Sequence, residues 1–296
     1  MKQDHGNIIL VPFDFSEQAQ IALEQSYNLA RLSRAVILLL YVLDEDTFNP
    51  LSFITARKND EEKERVWEQS IRDKLKEVAT STKKEIGVQV DYRMTKGKVY
   101  DQIVEVAEDV KATFIVMGTN GATNLKKKFI GSNAFRVVRE AKIPVITIKG
   151  KDHRKGCKTI LLPLDLTRET REKVNEAIQF ANYFGSAIRI VSVTTTNDDL
   201  VMQKLQFQMS QVEAFIRKND IAVSGEIIHD SNIVKTILEY AQKIDADLIM
   251  IMTQQEVDFT DLFVGHAAHQ LINNSEIPVL SIRPSEKDNT ASILAI

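Results

Sequence analysis

Three glycines and a serine carry the clearest chemical signal in the chain. Gly118, Gly121, Gly131 and Ser132 form the spacing Gly-x2-Gly-x9-Gly-Ser. A residue without a Cβ lets a phosphate approach backbone N–H groups and tolerates the positive φ of a tight turn. The apolar run before Gly118 is strand-like, and a helix is expected to open at Gly131-Ser132-Asn133-Ala134. The start of a helix supplies unpaired N–H donors and the positive end of the dipole, so Gly131 and Ser132 make a ready anion site. The Ser132 hydroxyl can cap that helix or turn toward a phosphate oxygen. The plain alternative is three turn glycines and an ordinary serine cap.

Other groups carry weaker signals. Asp14 closes an apolar run, but no His or second carboxylate is identifiable beside it, which favours ligand recognition over general-base work. Lys126-Lys127-Lys128 lies between the second and third glycines, where it can steer phosphates or simply form a solvated face. His266 and His269 are three apart on an expected helix, a spacing compatible with a metal. No cysteine lies nearby and Asp258 and Asp261 are the only adjacent carboxylates, so ordinary histidines are the favoured reading. Cys157 falls in a polar stretch with no basic partner identifiable, which disfavours a reactive thiol. The chain has no Gly-x4-Gly-Lys-Ser/Thr loop, no Gly-x-Gly-x-x-Gly fingerprint and no Ser-His-Asp or Cys-His pattern at a recognisable spacing. Dedicated ATPase or kinase activity therefore has little support.

The elements that position these groups occur twice. Residues 9–16 (Ile-Leu-Val-Pro-Phe-Asp-Phe-Ser) match residues 160–167 (Ile-Leu-Leu-Pro-Leu-Asp-Leu-Thr) at a shift of 151, and the same shift carries Val42 to Val193. Farther on the shift is 134, placing Ile103 on Ile237, Ala107 on Ala241, Gly131 on Gly265 and Pro144 on Pro278. The 17-residue difference is absorbed after the second strand, where the first copy has the extra stretch 44–57. This is a duplication. Domain one is expected over residues 1–150 and domain two over 151–285, with the polar linker 150–157 between them and a tail at 286–296. The copies differ where the chemistry is: Gly118 becomes Met252, Gly121 becomes Gln255, Ser132 becomes His266 and Gly97 becomes Ser231. Only the first copy is expected to hold a phosphate chain.

Within the first copy, residues 8–13, 36–42, 88–94, 114–118 and 145–148 are short apolar, β-branched runs. Amphipathic stretches separate them; Trp67, Ile71, Leu75 and Val78 line one helical face, and Leu205, Met209, Val212 and Ile216 line its counterpart. The fold class is α/β: two tandem, open, parallel five-stranded sheets with helices on both faces, which take ligands at the carboxyl ends of the strands.

Composition agrees. The 296 residues are 44% hydrophobic and 27% charged, and no apolar run reaches the roughly 20 residues of a membrane span. The N-terminal residues contain no signal-like apolar segment, and a single cysteine forms no intrachain disulfide, so the cytoplasm is the expected compartment. A net charge of −3 argues against a general nucleic-acid binder. Residues 1–150 carry 23 Lys+Arg against 21 Asp+Glu, and residues 151–296 carry 15 against 20, so an anion sits more comfortably in the first half.

The Pro-x-Asp strand ends, the Gly-x2-Gly-x9-Gly-Ser signature and the closing Ile-Pro-Val strands resemble the universal stress protein family across both halves. The resemblance implies an adenine nucleotide alpha hydrolase-like, Rossmann-like fold with sheet order 3-2-1-4-5. It also implies pairing through the fifth strand, met here within the chain as a pseudo-dimer; further homodimerisation stays open. In nucleotide-binding members the first-strand Asp faces the adenine and ribose end, a Val ending strand two contacts adenine, and the glycines and Ser hold the phosphates. Carried over by motif position, these are Asp14, Val42, Gly118, Gly121, Gly131 and Ser132. The usual proline after Gly97 is replaced by Lys98-Val99. The expected ligand is ATP, with or without Mg2+, in domain one only, acting as a regulatory or structural ligand in a cytoplasmic stress response. Two alternatives are a nucleotide-free interaction module with an apolar or lipid pocket near Met252, and a slow ATP hydrolase.

Overall fold

The computed structural model describes residues 7–44, 58–119, 130–149, 156–165, 170–253 and 262–283, with the side chains at 58–61, 63, 64, 170–172 and 262–266 left aside. The chain divides into two compact units. The first contains β1 (Ile8–Pro12), α1 (Glu17–Ser33), β2 (Val36–Asp44), α2 (Lys58–Ile86), β3 (Val90–Gly97), α3 (Val99–Asp109), β4 (Phe114–Gly118) and α4 (Ser132–Glu140). Its strands lie in the order β3-β2-β1-β4, every pairing parallel. The near-continuous apolar runs of β1 and β4 are buried throughout their centres, with Ile9, Leu10, Val11, Ile115 and Val116 fully enclosed. Each such side chain contributes about 1.5–3 kcal/mol of burial.

The second unit holds β5 (Val145–Ile148), β6 (Thr159–Pro163), α5 (Thr170–Phe184), β7 (Ala187–Thr194), α6 (Asp199–Arg217), β8 (Val223–His229), α7 (Ile233–Lys243), β9 (Leu248–Met252), α8 (Leu262–Asn274) and β10 (Val279–Ile282). Its strand order is β5-β10-β9-β6-β7-β8. The run from β10 to β8 is the expected 3-2-1-4-5 order read backwards, all of it parallel. β5, the last strand of the first repeat, pairs antiparallel with β10 through Thr147↔Val279, Ile146↔Leu280 and Val145↔Ser281. Every residue of β5 and β10 is buried. Among the described residues no helix is long and apolar enough to cross a membrane.

The helical faces follow the sequence with one difference. Met209 and Ile216 of α6 are buried as expected. On α2 the buried positions are Ile71, Leu75, Ala79, Thr82 and Ile86, while Trp67 is 44% exposed. The face runs at spacings of four and three, and Trp67 begins it beyond the core.

Cys157, in the polar linker stretch, is buried just ahead of β6, and its carbonyl accepts from Ser186 Oγ. Burial pushes the thiol up to about 12. Native protein is therefore expected to resist a chromogenic disulfide reagent at pH 8 and to react once unfolded; rapid labelling of the native form would contradict the burial. In the unfolded chain the thiol ionises near its ordinary value of about 8.5. The unfolded state thus loses this proton first, and stability should fall as pH rises from there toward 12, by about 1.4 kcal/mol per pH unit.

Candidate functional site

Parallel pairing gathers the first unit's candidate residues at the carboxyl ends of its strands. Asp14 follows β1, Val42 is half-buried near the end of β2, and Gly118 ends β4. Phe13 N–H donates to Leu40 O at 2.8 Å, so the chain leaving β1 stays alongside β2. Asp14 Oδ1 then accepts from Ser16 N–H at 3.0 Å, and Ser16 Oγ caps α1 by accepting from Ala19 N–H at 3.1 Å. Phe15 sits between them at φ 62°, a left-handed conformation costing a bulky residue roughly 1–2 kcal/mol. The strain places Asp14 exposed at the mouth of the strands. The rings of Phe15 and Tyr41 lie 5.6 Å apart beside it, and Tyr41's phenol is raised above its ordinary value by burial and then by the Asp14 charge.

The glycines divide their roles. Gly131 is the N-cap of α4, and its N–H donates to Thr119 O at 2.7 Å, bringing the start of α4 beside the end of β4. Ser132 is therefore the first helical residue and no side chain caps the helix, which corrects the expectation that its hydroxyl could be the cap. Ser132, Asn133 and Ala134 present the N–H groups of the first turn, and no acidic residue lies in that turn. One turn on, the Arg136 guanidinium lies 4.6 Å over the Tyr100 ring, adding a cation on the Ser132 side of the helix. A helix start of this kind is one at which an anion is stabilised.

Gly118 has a structural duty that the spacing did not reveal. A Cβ there would lie 2.8 Å from Gln18 Cβ and 3.0 Å from Gln18's backbone carbon and oxygen. The glycine admits the first turn of α1 against β4. Gly97, retained without its proline, adopts φ 144°, which a side chain would strain. Gly121 and Lys126–Lys128 lie outside the described residues.

The second repeat is built differently at the same place. Met252 is buried at the end of β9 where the first repeat has Gly118. α8 starts at Leu262, so Gly265 and His266 lie inside the helix rather than at its entrance. The positions that open α4 in the first repeat thus fall within the first turns of α8 in the second. Gln255, Asp258 and Asp261 lie outside the described residues; His269 faces the Asn273 amide, with Nδ1 3.1 Å from Nδ2. An open cleft of about 380 Å³ runs between α7 and α8, lined by Lys235, Glu239, Gln270 and Ile277 among others. Met252 does not line this cleft.

Comparison with known proteins places the whole chain. The pattern described as the universal stress protein family matches residues 7–149 and again 156–283. Two universal stress proteins of Methanocaldococcus jannaschii are each 33% identical to it. One aligns over 154 residues, 49% of this chain and 95% of the relative; the other over 141 residues, 48% and 81%. The crystal structure of a universal stress protein from Archaeoglobus fulgidus superposes with a TM-score of 0.72 at 21% identity, covering 95% of this chain and 99% of that one.

Proposed function

The chain belongs to the universal stress protein family, and from that premise we propose that its first repeat binds ATP as a regulatory or structural ligand in the cytoplasm. The observation that carries this reading is the start of α4: an N-cap glycine beside β4, three first-turn N–H groups and no acidic residue. A triphosphate supplies the charge that such a helix end stabilises. Asp14, exposed where β1 ends, lies on the same edge as Val42 and suits the hydroxyls of a ribose. Mg2+ would accompany the triphosphate as a counter-charge.

In this reading the second repeat is the degenerate partner. The antiparallel pairing of β5 with β10 supports an intrachain pseudo-dimer, and the position of Gly265 within α8 rather than at its entrance supports one nucleotide per chain. Ligand held at a hundred times its Kd stabilises the folded state by about 2.7 kcal/mol, so binding and stability rise together.

The test is to denature freshly purified protein, identify released small molecules by mass spectrometry, and titrate the stripped protein with ATP in a calorimeter. One adenine nucleotide per chain is expected in both measurements. No nucleotide and no heat of binding would make the glycine constellation purely architectural.

A further inference from the structure

We infer that the outward face of α6 is a self-association surface, on which a second copy of this chain lays its own α6 antiparallel. The inference is independent of the nucleotide reading. α6 has two apolar faces. Met209 and Ile216 are buried on the inward one, and Glu213 ties the helix to β8, its Oε1 accepting from Gly225 N–H at 2.6 Å. Met209 fills the space that a side chain at Gly225 would need, so the helix is seated on the strand. At 100° per residue, Leu200, Lys204, Phe207, Gln211 and Phe215, with Lys218 just past the end, share the opposite side within an arc of about 80°. Leu200 is 77% exposed, Phe207 64% and Phe215 40%. Three large apolar side chains on one line of a helix already held by its other face exceed the scattered exposure of an ordinary surface.

The order of residue types along this line matches its own reverse. Leu200 lies seven residues before Phe207 and Phe215 eight after it; Lys204 lies three before and Gln211 four after. A twofold axis beside Phe207 therefore sets Leu200 against Phe215 of the second copy, Lys204 against Gln211, and Phe207 against its own symmetry mate. Apolar meets apolar at the centre and at both ends, and each Lys204 meets an amide oxygen. The charges agree. Asp198 and Asp199 are exposed where α6 begins, and Arg217 and Lys218 are exposed where it ends. Antiparallel copies bring each acidic end to the other's basic end and align the helix dipoles favourably. A parallel pair would set Lys204 on Lys204 and Lys218 on Lys218, so charge selects the antiparallel form.

The same charges decide the kind of partner. Residues 151–296 carry 15 Lys+Arg against 20 Asp+Glu, which disfavours an anionic lipid surface for this face. Two faces 19 residues long bury on the order of 1,000 Å² together, the low end for a specific interface. The pair is accordingly expected with a Kd of about 10 μM.

The experiment is sedimentation equilibrium of the full chain, stripped of nucleotide, across about 1–200 μM. It compares the parent with Phe207→Glu, Asp199→Lys, Lys218→Glu and the double charge reversal. Phe207→Glu puts two carboxylates beside the axis and should weaken the dimer at least a hundredfold, roughly the loss of a central anchor. Each single reversal should weaken it about tenfold, because twofold symmetry counts every change twice. The double reversal should return it to within about threefold of the parent. The substituted side chains are exposed, so melting temperatures should stay close to the parent's, and the charge arm does not depend on Phe207→Glu folding. A parent that stays monomeric throughout overturns the inference. So does a dimer that a folded Phe207→Glu leaves intact, which would put the interface elsewhere. Two single reversals that weaken the dimer without rescue by the double overturn the antiparallel register. A monomeric parent that floats with phosphatidylserine vesicles, where Phe207→Glu does not, would give the face to a membrane instead.

Discussion

Ser132→Asp is expected to give a protein that melts at or above the parent temperature and no longer binds ATP. The two effects have opposite signs for one reason. Ser132 is the first residue of α4, its hydroxyl makes no cap, and no acid lies in that turn. A carboxylate placed there meets the positive end of the helix dipole and stabilises the helix by roughly 0.3–1 kcal/mol. The same carboxylate occupies that helix start with a charge of its own, a few ångströms from where the phosphates would sit. At an effective dielectric constant of 20, two like unit charges 4 Å apart repel by about 4 kcal/mol, nearly a thousandfold in Kd. Calorimetry and a melting curve, each with and without ATP, read both effects. A variant that still binds ATP within tenfold of the parent would remove α4 from the site.

Much of this architecture is legible in the sequence because the determinants are local and repeated. The strand runs around residues 8–13 and 114–118 are too apolar for anything but a doubly covered sheet, and β1 and β4 are buried accordingly. The family resemblance implies the strand order, and the duplication carries it to the second unit. Less local features escaped. Trp67 continues a helical period but reaches past the core, since periodicity reports a direction and not where packing stops. The positive φ of Phe15 carries no residue-type signal, because bulky residues rarely adopt it.

The glycine spacing illustrates a further limit. A missing Cβ serves a ligand, a neighbouring helix or a backbone angle equally well, and sequence does not distinguish them. Gly131 serves the cap and Gly97 the backbone angle. Gly118 serves the packing of α1, whatever else it does. The second repeat has a buried Met252 at the equivalent position.

The second large effect is therefore on stability, and it revises what the sequence implies for Gly118. From the motif alone, Gly118→Val should abolish nucleotide-dependent stabilisation while the fold survives. The geometry says otherwise: even the single methyl of Gly118→Ala would stand 2.8 Å from Gln18 Cβ and 3.0 Å from its carbonyl oxygen. Two of the three nearest atoms are backbone of α1, so no rotamer change relieves the contact, and the helix must retreat from β4. Overpacking of this kind costs about 1–3 kcal/mol for a methyl, and the larger branched valine costs more. For a chain of this size that corresponds to a fall of about 2–4 °C in melting temperature per kcal/mol, without any ligand present. Gln18→Gly removes the Cβ but leaves the carbonyl, so in combination with Gly118→Ala it should recover only part of the loss. Melting curves of the stripped single and double variants decide this. If stripped Gly118→Ala melts with the parent, α1 does not depend on the close approach, and Gly118 is released to serve the phosphates alone. If it melts lower, its loss of ATP binding says nothing about where ATP sits, and Ser132→Asp, which leaves the packing of α1 untouched, is the variant that does.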